Sequence, residues 1–111
     1  MIGVEHYVLV SAVVFIVGGI GFLVRRNVLV SLMSIEVMLN AANLALVAFN
    51  RSHLAHDPTQ AYPGLSHTGQ IFVFFIIAAE AAEVAVGLAI VLALYRLRRT
   101  VRSDEADLLK N

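Results

Sequence analysis

The 111-residue chain contains no cysteine. That excludes a disulfide-stapled secreted scaffold and removes thiolate-ligated zinc and iron–sulfur sites. Charge is scarce as well. Only 14% of residues are Asp, Glu, Lys or Arg, where an ordinary globular domain carries roughly a quarter. Eight basic and eight acidic residues cancel to a formal net charge of zero, which argues against a nucleic-acid partner. What is abundant is apolar surface, at 59% of residues. A soluble domain of this size cannot bury that much. The composition therefore points to an integral membrane protein.

Three apolar stretches approach or exceed the length of about 20 helical residues that a bilayer requires. The first, residues 7–24, has no charge and stops at Arg25-Arg26-Asn27. The second, residues 28–49, is interrupted only by Glu36, and the third, residues 71–95, by Glu80 and Glu83. Residues 50–70 are polar and hold Pro58, Pro63, Gly64, Gly69 and three of the four histidines, so they read as a loop. The expectation is an all-α integral membrane protein, one three-helix domain over residues 1–111. Its first two spans form an antiparallel hairpin about the Arg-Arg-Asn turn. A cleaved signal peptide is not expected, because Glu5 and His6 stand where a basic leader region would be.

Lys and Arg set the orientation of such a protein. Arg25, Arg26, Arg96, Arg98, Arg99, Arg102 and Lys110 fall on one side and Arg51 on the other, seven against one. This predicts a cytoplasmic turn and C-terminus, with the N-terminus and the 50–70 loop outside. The tail, residues 96–111, adds Asp104, Glu105 and Asp107. It reads as a short solvated helix with a basic interfacial anchor.

A carboxyl group in the bilayer costs several kcal/mol by most estimates and is a functional candidate by default. Span two is centred near residue 38 or 39, which puts Glu36 about 4 Å toward the cytoplasmic side. Span three is centred near Glu83, with Glu80 about 4.5 Å toward the outside. Glu36, Asn40 and Asn43 share a face at i, i+4, i+7, and such a polar stripe must face protein or internal water. Glu80, Glu83 and Gly87 follow i, i+3, i+7 on a helix rich in alanine, which lets other helices approach closely. Carboxyl groups at one depth in a low dielectric, joined by Asn side chains and water, can pass protons near neutral pH. The plainer alternative is that they only hydrogen-bond helices together. The match in depth between two helices favours the relay.

The remaining candidates are weaker. His6, His53, His56 and His67, with Asp57, match no zinc-ligand spacing and read as solvent-exposed. Gly18, Gly19 and Gly21 mark close helix packing or a local bend. No phosphate loop, dinucleotide fingerprint or nucleophile constellation is present, so redox or hydrolytic chemistry is expected to lie in other chains.

Three segments in order carry a resemblance: the Arg25-Arg26-Asn27 turn, the run Met33-Ser34-Ile35-Glu36-Val37-Met38-Leu39-Asn40-Ala41-Ala42-Asn43-Leu44, and Glu83-Val84-Ala85-Val86-Gly87-Leu88-Ala89-Ile90. They resemble the K subunit of bacterial respiratory complex I, the 4L subunit of mitochondria. The resemblance runs from about Glu5 to the tail. It implies a non-redox subunit in the membrane arm of proton-pumping NADH:quinone oxidoreductase, in the bacterial inner membrane. Glu36 and Glu83 would belong to the arm's central hydrophilic axis, and Arg25 and Arg26 to its cytoplasmic side. The implied partners are the A, J and N subunits. NAD, FMN, iron–sulfur clusters and quinone would be bound in other subunits and none in this chain.

Glu80 departs from the small residue such as Ala expected at its position, and is read as a third relay carboxyl assisting Glu83. The outer loop around Tyr62-Pro63-Gly64-Leu65-Ser66-His67 is longer than the pattern. Related three-helix plans occur in the C subunit of multisubunit sodium/proton antiporters and in membrane-bound hydrogenases. A purely structural assembly subunit is a further alternative. A small multidrug exporter would need a fourth span.

Overall fold

The computed structural model describes residues 2–56, 67–99 and 101–103. It is all-helical: α1 Val4–Val24, α2 Val28–His56 and α3 Thr68–Arg98. All three are long and apolar enough to cross a membrane.

Each helix outlasts its apolar stretch. α2 runs seven residues past Phe49, and α3 starts three residues before Ile71 and reaches Arg98. Hydropathy marks the part of a helix that meets lipid. The backbone ladder continues through Asn50, Arg51 and Ser52 because polar side chains do not break it. The expected 50–70 loop is thus helical at both ends, and residues 57–66 lie outside the described part.

The tight turn between α1 and α2 has a local cause. Arg25 leaves α1 in an extended conformation. Two residues later Asn27 starts α2: its Oδ1 accepts from the Leu29 N–H at 2.9 Å, and its carbonyl accepts from the Ser31 N–H. This is an Asn cap satisfying an otherwise orphaned helix donor.

α2 is the central helix, packed on both α1 and α3. Its two contact faces are opposite. Ser34, Met38 and Ala41 meet α1: Gly18 and Gly21 sit against Ser34 and Met38, and Ser11 Oγ donates to the Ala41 carbonyl. Leu32 and Asn43 meet α3, at Gly87 and Glu80. At about 100° per residue, Ser34 and Ala41 lie roughly 140–160° round the helix from Glu36. α1 and α3 therefore flank α2 in a flat layer.

Small residues let the helices come close, as membrane packing requires. A Cβ added at Gly18 would lie 2.7 Å from Met38 Cγ and 3.0 Å from the Ser34 carbonyl. One added at Gly87 would lie 2.8 Å from a Leu32 methyl. Gly19 differs, with nothing within 4 Å of an added Cβ. The glycine pair is thus split between packing and an open face.

The tail departs from its expected form. Arg99 takes the left-handed conformation at φ 56°, and its N–H closes α3 on the Tyr95 carbonyl. The chain then folds back onto the α1–α2 turn rather than continuing as a helix. Val28 N–H donates to the Val101 carbonyl at 2.8 Å, and Ser103 N–H donates to the Arg26 carbonyl at 2.9 Å, an antiparallel bridge between Asn27 and Arg102. The turn's free backbone groups attract the tail because they need partners. Residues 104–111, including the acidic ones, lie outside the described part.

Candidate functional site: carboxylates between α2 and α3

The site is built where α2 and α3 face each other. Glu80 and Asn43 are each 7% exposed. Asn43 Nδ2 donates to Glu80 Oε1 at 2.9 Å. Asn43 Oδ1 is buried and meets no donor among the described residues. Glu36 is half-buried, with its Oε1 buried and likewise unpartnered among the described residues.

Register follows from two contacts. Asn43 faces Glu80, and Leu32 faces Gly87. Glu36 lies between Leu32 and Asn43 on α2, and Glu83 lies between Glu80 and Gly87 on α3. The two carboxylates therefore occupy one level along the antiparallel pair.

The two span-three glutamates do not share an environment. Gly87 lies about 20° round α3 from Glu80, whereas Glu83 lies about 60° away. α2 covers the first two, and Glu83 is left exposed on the flank of α3. The same splitting occurs on α2. Asn40 is exposed, and its Nδ2 turns back to the Glu36 backbone carbonyl at 3.0 Å rather than to a carboxylate. Asn43 alone of the two asparagines bridges the helices.

Arg25 and Arg26 stand apart from this group, exposed at the turn. The start of α2 at Val28 is about 12 Å along the axis from Glu36. They lie at the α1–α2 turn, where the folded-back tail meets the Arg26 carbonyl. Among the described residues no three His, Cys, Asp or Glu side chains gather as metal ligands. His67 Nδ1 pairs with Gln70 Oε1 at 3.2 Å, and Asp57 lies outside the described part.

Sequence reasoning missed Ser11, whose hydroxyl ties α1 to α2. A signal was present: Ser11 is the lone serine in its apolar span and stands at i−7 from Gly18, on the face that packs.

These features define a small multi-pass membrane subunit whose polar chemistry is concentrated at one helix–helix seam. The family described as NADH-ubiquinone/plastoquinone oxidoreductase chain 4L matches residues 6–111. The chain is 62% identical over 108 residues to the NADH-quinone oxidoreductase subunit K of Sorangium cellulosum, covering 97% of this chain and 95% of that protein. It is 50% identical over 109 residues to subunit K 1 of Koribacter versatilis, covering 98% and 96%. It is 46% identical over 109 residues to subunit K of Methylacidiphilum infernorum, covering 98% and 97%. The chain belongs to the chain 4L, or subunit K, family of NADH-quinone oxidoreductase.

Proposed function

We propose that this membrane-arm subunit of NADH-quinone oxidoreductase carries protons on Glu36, Glu80 and Glu83, between neighbouring subunits of the arm. The observation that supports it most directly is the seam itself. Three carboxyl groups lie within the apolar spans of two facing helices, and one of them is buried against an Asn side chain. Membrane helices retain such costly groups where ions or protons pass. Glu83 and Asn40, exposed in the single chain, would meet the next subunits.

The partners in this reading are the A, J and N subunits. The electron carriers NAD, FMN, the iron–sulfur clusters and quinone are held by other chains. The location is the bacterial inner membrane, with the turn and tail cytoplasmic on the seven-to-one basic asymmetry. Arg25 and Arg26 support that boundary.

The test is the Glu36→Gln, Glu83→Gln double variant in the assembled enzyme. Gln keeps the shape and cannot ionise. Proton uptake into vesicles and coupled quinone reduction should both fall, with assembly retained on native gels. Full pumping by the double variant would leave only a structural role for this chain.

A further inference from the structure

We propose that Asn43 is a positioning residue whose side-chain amide turns over with the protonation state of Glu80, making that pair the proton-registering element inside the subunit. The assignment rests on the relay reading above. It separates Glu80 from Glu83: the first works within the α2–α3 seam, the second at the subunit boundary.

The geometry offers two hydrogen-bonded arrangements for one pair of side chains. With Glu80 ionised, the carboxylate only accepts, and Asn43 Nδ2 donates to it at 2.9 Å. Asn43 Oδ1 is then a buried acceptor with no donor among the described residues. A proton taken up by Glu80 forms an O–H bond on the carboxylate and turns the group into a donor. A half-turn about the Asn43 amide exchanges Nδ2 for Oδ1, and the carbonyl accepts that O–H. The proton leaves by the reverse exchange. As the Glu80 O–H bond forms, an O–H bond breaks on the carboxyl that hands the proton over, Glu36 or Glu83, and the exchange runs the other way when the proton leaves Glu80.

A side-chain amide presents a donor and an acceptor at equivalent positions without itself titrating. Leu or Ala here would leave a buried carboxylate unpartnered. The surroundings of Glu80 fit a responsive pair. The other carboxyl groups within the packed spans are Glu36 on α2 and Glu83 on α3 itself, and α1 contributes no Asp, Glu, Lys, Arg or His between Tyr7 and Val24. Charge on either glutamate biases which state the pair occupies. Asn40 cannot substitute, because its Nδ2 is spent on the Glu36 backbone.

The test uses the whole enzyme in liposomes with Glu80→Gln, Asn43→Leu, Asn43→Ala and Asn43→Gln. Two quantities are read: the rate of proton uptake, and the infrared carbonyl stretch of the protonated Glu80 carboxyl, identified as the band that Glu80→Gln removes. Asn43→Leu and Asn43→Ala should shift that band and slow uptake about tenfold, the size of one lost hydrogen bond to a charged group. Asn43→Gln keeps an amide and should restore most of the rate. Should Asn43→Leu fail to assemble, Asn43→Ala carries the measurement, being smaller and helix-favouring. Wild-type uptake with an unshifted band in Asn43→Ala would overturn the positioning role, and so would a Glu80→Gln spectrum with no band lost. The first outcome leaves the relay standing and the second removes only Glu80 from it, whereas failure of the relay itself shows as full uptake in the Glu36→Gln, Glu83→Gln enzyme.

Discussion

At the scale of single residues, the membrane helices distinguish neighbours that hydropathy treats alike. Gly18 and Gly19 are adjacent, yet only Gly18 lies against α2. A side chain at Gly18 must displace the Ser34 backbone as well as Met38, and overpacking of this kind costs about 1–3 kcal/mol. Gly18→Val should therefore lower the amount of assembled enzyme surviving heat treatment, read on native gels, while Gly19→Ala should assemble like wild type. Equal losses from both would show that α1 packs on another face. The same distinction separates Glu80 from Glu83. Their three-residue spacing was legible as one polar face, but a face is broad, and about 60° of rotation decides which carboxyl meets Asn43 and which is left exposed.

At the scale of elements, the α1–α2 turn holds more than a change of direction. Asn27 caps α2 through its side chain, and the tail residues Val101 and Ser103 bond the backbone on either side of it. Removing the cap oxygen with Asn27→Ala should cost about 1 kcal/mol. The check is a lower melting temperature of the purified enzyme's membrane arm, with proton uptake at growth temperature unchanged. An unchanged melting temperature would mean the tail alone holds the turn. The cap was readable in the Arg-Arg-Asn motif, since Asn before an apolar run is a start signal. The folded-back tail was not. Its bonds join backbone groups far apart in the chain, and backbone groups carry no sequence signature.

At the scale of the whole molecule, orientation follows from charge. The turn and tail hold all but one of the basic residues, so a reporter fused after Lys110 should be active only in its cytoplasmic form. Activity of the exported form would reverse the topology, and with it the sides assigned to Arg25, Arg26 and Arg51. The number of helices and their order were determined by the sequence alone. The bilayer imposes a length of apolar chain, and that constraint acts on consecutive residues. The positions of Glu36, Glu80 and Glu83 along their helices followed from the same counting, because rise per residue is constant in a helix. What only the tertiary structure decided is rotation about each helix axis. No lipid-facing pattern tells α2 which flank will take α1 and which α3. Close approach at Gly18 and Gly87 settles that, and with it the burial of Glu80 against Asn43 and the exposure of Glu83. Sequence spacing sets the positions along an axis, whereas the azimuth of a helix is set by the partner it packs against.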